Sequence, residues 1–233
     1  MSPMTLLTRC LLALVLLTSW AAPAAAQQES VKPGINESWK SDDIDPLIGR
    51  LEAEDREIYA HRSAIATLVG PPPGSVVADV GAGSGFMVEE FARLVGPQGK
   101  VIALDINAAM MRHVSEEAAE KGLDNVVARV SGEREVTLEP QSVDIVFISD
   151  TYHHFEYPQS MMESIHRALR PGGQLIVVDF ERIEGQSEDW VLQHVRAGRE
   201  VFRQEIEAAG FQLVGVHAAS FLKQNYVLRF LKK

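Results

Sequence analysis

Thiol chemistry is nearly absent from this sequence: one cysteine occurs in 233 residues, and it is Cys10. A chain that has lost its first 26 residues carries no thiol, which excludes disulfides, zinc–thiolate sites and cysteine nucleophiles. Positive charge is also scarce. Lys and Arg number 22 against 32 Asp and Glu, a formal charge of −10. Nonspecific affinity for nucleic acid comes from Lys and Arg neutralising phosphates, so nucleic acid is not an expected partner. Internal repeats and low-complexity stretches are missing. After residue 26 no run approaches the roughly 20 apolar residues that a membrane-spanning helix needs. What remains is 46% hydrophobic and 23% charged, enough for one domain with a core on two sides of a sheet.

The first 26 residues read as a separate segment. Arg9 supplies a thin positive start, and Cys10–Leu17 is unbroken apolar sequence. Thr18, Ser19 and Pro23 then weaken any helix before Ala24-Ala25-Ala26, a small-x-small site. This is the pattern of a secretory signal peptide cleaved before Gln27, which implies an exported, periplasmic chain with no stable membrane insertion after cleavage. An uncleaved anchor is the competing reading, and the shortness of the run argues against it. Residues 27–54 form an N-terminal extension, and residues 55–233 form the domain.

From Ser75 onward strands alternate with helices. Strands are expected at Ser75–Val80, Lys100–Ile106, Asn125–Val130, Val143–Ser149 and Leu175–Val178, with helices between them. A long helix is expected over Ser187–Ala209, its buried stripe formed by Val191, Val195, Phe202 and Ile206. Two closing strands, Phe211–Ala218 and Gln224–Leu231, are joined too tightly for a crossover helix and must be antiparallel. The fold class is α/β: a doubly wound, seven-stranded, mostly parallel sheet with an antiparallel last strand.

In such sheets ligands bind beyond the carboxyl ends of the strands, at the topological switch point. There the sequence places the loop Asp79-Val80-Gly81-Ala82-Gly83-Ser84-Gly85, between a strand and a helix. Residues without side chains let a ligand approach the backbone, and a helix N-terminus favours an anionic group. A tight turn with no ligand is the plainer reading. Dinucleotide loops read G-x-G-x-x-G, whereas here the third glycine comes one residue early. The acid two residues before the first glycine suits a cationic ligand. Asp105 ends the second strand, where a carboxylate can accept both hydroxyls of a ribose.

These residues, with Leu169-Arg170-Pro171-Gly172-Gly173 before the fifth strand, resemble class I S-adenosylmethionine-dependent methyltransferases, and the small layout is similar to ubiquinone/menaquinone-type and other small-molecule methyltransferases. The resemblance covers about residues 55–231. It implies that Asp79 and the backbone of Gly81, Ala82, Gly83 and Gly85 hold the methionine portion of S-adenosylmethionine. Asp105 takes the ribose, Ile106 flanks the adenine, and Glu133 stands in for an acid that in the family directly follows the third strand.

The loop Asp150-Thr151-Tyr152-His153-His154-Phe155-Glu156-Tyr157 lies where such enzymes place groups beside the transferred methyl. Asp150, His153 and His154 are the catalytic candidates, Asp150 also bordering the cofactor. A neutral histidine is a natural base near pH 7, and His153 is expected to face the site. Tyr152, Tyr157, His194 and Arg196 are the substrate candidates, and Trp39 and Tyr59 are candidates for a lid. Asp150, His153, His154 and Asp179 can be imagined around a divalent ion, but their spacing matches no ligand motif and no metal is expected. A small-molecule acceptor is the expected partner; the oligomeric state is left open. Two further readings stand beside the transferase: a noncatalytic module binding S-adenosylmethionine or its product, and a nicotinamide oxidoreductase. Export adds a tension, because S-adenosylmethionine is made in the cytosol.

Overall fold

The computed structural model describes residues 27–217 and 219–233. The expected signal peptide, Cys10 and position 218 lie outside the described residues. A short 3-10 turn at Glu37–Trp39 leads into helices α1 (Asp45–Leu51), α2 (Glu57–Ala60) and α3 (Arg62–Val69). The alternating part follows: β1 (Val76–Val80), α4 (Phe86–Val95), β2 (Lys100–Asp105), α5 (Ala108–Glu120), β3 (Val126–Val130) and β4 (Val143–Ser149). Next come α6 (Pro158–Ala168), β5 (Leu169–Phe180), α7 (Asp189–His194), α8 (Arg199–Ala208), β6 (Phe211–His217) and β7 (Asn225–Lys232).

Local chemistry sets these boundaries. Gly70, left-handed at φ 62°, closes α3 just before Pro71–Pro73. Asn107 caps α5 by accepting hydrogen bonds from the amides of Ala109 and Met110. The strands form one sheet in the order β3-β2-β1-β4-β5-β7-β6, with β7 antiparallel to both neighbours. The expected fold class is the observed one.

Side chains of the central strands alternate between two cores, as a period of two requires. Ala78, Val80, Ile102, Leu104, Val146 and Ile148 pack with Met162, Ile165, Phe202 and Ile206 of α6 and α8. Val77, Val101, Ala103, Ile145 and Phe147 pack on the other side with Ile65, Phe91 and Val114 of α3, α4 and α5. The sheet is therefore covered on both faces, and its functional edge is the end where β1 and β4 part company. Among the described residues no helix is long and apolar enough to cross a membrane.

Two expectations are corrected. Strand β5 starts at Leu169, not Leu175: Leu169 pairs with Val143 and Gln174 with Ile145, so Arg170–Gly173 loops out within the strand. The single helix over Ser187–Ala209 is two helices. Val195 and Gly198 take extended backbone angles between α7 and α8. The carbonyls of Leu192 and Val195 are caught by the Arg182 guanidinium, which compensates for the helical bonds lost at the break. The stripe of Val191, Val195, Phe202 and Ile206 is nonetheless buried throughout.

Helix α8 should therefore owe its docking to its apolar face. Phe202→Ala is expected to lower unfolding free energy by about 3–5 kcal/mol in urea denaturation. Arg203→Ala, which removes surface pairs with Glu200 and Glu207, should leave the midpoint nearly unchanged. Equal losses in the two variants would contradict this packing.

Candidate active site

The loop after β1 is tied to the next strand before any ligand is considered. The amides of Gly81 and Ala82 both donate to the Leu104 carbonyl, and the amide of Gly83 donates to Asp105 Oδ2 at 3.0 Å. Gly81 and Gly83 have φ of 77° and 53°. A Cβ on Gly81 would lie 2.2 Å from Thr151 Cγ2, and one on Gly83 would lie 2.7 Å from Leu51 Cδ1. Both glycines are thus required by conformation and by the tight seating of the loop.

Two acids stand behind this loop. Asp79 is buried, and burial followed by the negative charge of Asp105 pushes its carboxyl up to about 8. Burial also raises Asp105, against the backbone amides of Asn107, Gly83 and Ile106 that favour its charged form. A site built this way is short of positive charge.

The loop borders a cavity of about 870 Å³, part of it open to solvent. Asp79, Gly81, Ala82, Gly83, Asp105, Ile106, Glu133, Asp150 and His154 all line it, whereas Gly85 does not. Gly85 instead begins α4 and packs against Val114. Glu133 sits on the wall with Ser131 and Gly132 and pairs with Lys40 at 2.8 Å.

The N-terminal extension closes the other side. Asn107 Nδ2 donates to the carbonyls of Trp39 and Ser41, and Asn36 Nδ2 donates to that of His154. Ser30 Oγ and the Gly34 amide both donate to the buried Glu156 carboxylate. Asn36, Trp39, Leu51 and Arg56 thereby become wall residues. Of the two lid candidates, Trp39 lines the cavity, whereas Tyr59 packs edge-on against Phe86.

Beyond β4, Asp150 adopts φ 46°, an unusual conformation for a residue with a side chain. Its oxygens are held by Arg56 at 2.9 Å and by Asn225 Nδ2 at 2.6 Å. Burial pushes its carboxyl up to about 6, with Arg56 pulling the other way. His153 does not face the cavity as expected. It is buried behind the wall, its Nδ1 2.8 Å from Asp179 Oδ1, and His154 takes the wall position. Burial drives His154 down to about 2 and His194 to about 4, with neighbouring positive charge adding to each, so both rings are neutral at pH 7.

The other substrate candidates lie elsewhere. Tyr152 is fully buried with its hydroxyl donating to Glu205. Arg196 makes a two-pronged pair with the same Glu205, so it is occupied within α8's own support. Tyr157 lies under the Arg134 guanidinium, away from the cavity wall. Arg56, Asn36 and Asn225 were not expected in the site. Arg56 stands in an ordinary run of charges and Asn225 opens the last strand, so no local pattern points to either.

The model of the methyltransferase domain matches residues 72–232, well over half of the chain. The chain belongs to the methyltransferase-domain family. The ubiquinone/menaquinone biosynthesis C-methyltransferase UbiE of Hydrogenovibrio crunogenus is 33% identical over 117 residues, 50% of this chain and 46% of that protein. The chain thus spans about half the length of the curated relatives it matches. Among solved structures, a SAM-dependent methyltransferase from Aquifex aeolicus superposes with a TM-score of 0.72 at 24% identity, covering 81% of this chain and 98% of that one. The [4+2]-cyclase SpnF superposes at 0.63 and 17% identity, covering 73% and 80%; likenesses at this level concern the fold.

The residues present fit S-adenosylmethionine. Its positive charge answers the deficit at Asp79 and Asp105, and the glycines of the loop let a ligand approach the backbone. Asp79 with the Gly81–Gly83 loop would hold the methionine portion, and Asp105, Ile106 and Glu133 the nucleoside.

The raised Asp79 carboxyl gives a signed pH dependence. Folding favours its protonated form, so ligand-free stability should fall as pH rises from the ordinary value of 3.8 toward about 8. Cofactor affinity should rise over the upper part of the same window, with proton release, because the cation favours the ionised acid. Asp79→Asn should raise the ligand-free melting temperature more at pH 8 than at pH 5, and should weaken cofactor binding. An Asn variant with no gain at pH 8 and unchanged binding would contradict this electrostatic account.

Proposed function

We propose that the chain transfers the methyl group of S-adenosylmethionine to a small-molecule acceptor seated among Asp150, His154 and the N-terminal strap. One observation carries this reading: a single cavity joins the cofactor loop to a second wall of Asn36, Trp39, Asp150, His154 and Phe155. When bound, the cofactor supplies an electrophilic methyl carbon on a sulfonium. The chain's contribution is position: the glycine loop and the strap fix the two partners, and alignment alone can supply a large part of the rate. Asp150, locked by Arg56 and Asn225 and raised to about 6, is better poised to take an acceptor proton near neutral pH than the far weaker base His154.

A second reading has its own support. Both Asp150 oxygens are already bonded within the protein, and the same fold carries a cyclase. A noncatalytic cofactor-binding module would look similar. The two separate in a turnover assay that follows S-adenosylhomocysteine release with a panel of small acceptors, led by quinol-type carbon acceptors on the strength of the UbiE relatives. Asp150→Asn should lower kcat by about 10²–10⁴-fold if it transfers the proton, with cofactor affinity little changed. Cofactor binding without turnover on any acceptor would favour the module.

We infer further that residues 1–26 direct export, supported by the apolar run and the Ala24-Ala25-Ala26 site. N-terminal sequencing of the chain from fractionated cells should find Gln27 first in the exported fraction. An intact N-terminus confined to the cytosol would contradict it.

A further inference from the structure

Three histidines meet where the end of α7 reaches the 3-10 turn Tyr152–His154 that follows β4. The ring centroids of His153, His154 and His194 lie 4.4, 5.1 and 4.9 Å apart in pairs. One ring nitrogen from each lies within 4.8 Å of the other two. The break between α7 and α8 makes this possible, because it ends α7 at His194.

We propose that His153, His154 and His194 bind a divalent transition metal of the zinc class, at the edge of the cavity that His154 lines. Nε2 of His154 and Nε2 of His194 are 3.2 Å apart. Two nitrogens on a tetrahedral zinc with bonds of 2.0–2.1 Å stand about 3.3 Å apart, so this pair needs almost no movement to share an ion. A ring nitrogen of His153 lies within 4.8 Å of that pair, and the ring must close the remaining gap to join them. Its Nδ1 is engaged by Asp179, a fully buried carboxylate. That is the carboxylate–histidine arrangement that fixes the tautomer of a metal ligand and leaves its Nε2 free to ligate.

The donor set also selects the class of ion. Imidazoles without thiolates suit zinc, cobalt, nickel and copper, and not magnesium or calcium, which want oxygen. Three protein nitrogens leave at least one coordination position, the layout of metal sites that take up a ligand rather than only brace a fold. Nearby charge acts in both senses. Lys32, which donates to the carbonyls of Gln193 and His194, and Arg50, stacked on Trp39, oppose a dication; Asp179, beside His194 and His153, and Asp150, beside His153, favour one. The proposal stands on the histidine geometry and does not require that the chain transfer methyl groups.

The test is titration of the purified, tag-free, chelator-treated chain with zinc by calorimetry and with cobalt(II) by visible absorption. One equivalent should bind, with the intense bands of low-coordinate cobalt. His194→Ala, at a partly exposed helix end, should keep its circular dichroism and melting curve while losing affinity by at least 100-fold. Asp179→Asn should weaken binding about 10–100-fold. His113→Ala, on α5, should bind as the parent does. A folded parent chain that takes up no stoichiometric metal, or binding that His194→Ala leaves intact, would overturn the assignment and leave a hydrogen-bonded histidine cluster.

Discussion

Four carboxylates gathered at the ends of four adjacent strands set the terms for everything else in this molecule. Asp105, Asp79, Asp150 and Asp179 sit at the carboxyl ends of β2, β1, β4 and β5, which neighbour one another in that order. Taking an acid out of water costs several kcal/mol unless charge or hydrogen bonds replace the lost hydration. Each acid is compensated differently. Asp105 has backbone amides, Asp150 has Arg56 and Asn225, and Asp179 has the His153 ring and its amide. Asp79 is left with burial and the repulsion of Asp105. The least compensated negative charge thus lies in the middle of the functional edge, where a cationic ligand such as a sulfonium bearing an ammonium group fits.

The N-terminal extension walls one side of that edge. It reaches the domain through polar contacts at fixed points: Asn107 to the carbonyls of Trp39 and Ser41, Glu156 to Ser30 and Gly34, and Glu133 to Lys40. Asn107 serves two ends at once, its oxygen capping α5 and its nitrogen binding the strap. The segment that supplies Arg56 to Asp150 also supplies Leu51 beneath the glycine loop. Strap, loop and acid are therefore coupled, so a change in one is felt by the others.

Much of the cofactor half was legible because its requirements are local. Positive-φ turns demand glycine, a strand-end acid precedes a helix cap, and both show in a short stretch of sequence. The acceptor half depends on contacts between distant segments. His194 ends α7 beside His154, where the helix expected over 187–209 breaks at Val195–Gly198 and Arg182 catches the freed carbonyls. Glu205 takes both Tyr152 and Arg196 out of consideration for substrate, through contacts spanning up to 53 positions. The order of two adjacent histidines was likewise beyond local reasoning: the buried Asp179 draws His153 inward, which turns His154 to the wall.

Calorimetric titration of the purified chain with S-adenosylmethionine, S-adenosylhomocysteine and NAD tests the central claim most directly. The account predicts one site that takes the two sulfur ligands and ignores NAD, with the positively charged S-adenosylmethionine gaining affinity over its neutral-sulfur product as pH approaches 8. Failure to bind either sulfur ligand, or a preference for NAD, would contradict it.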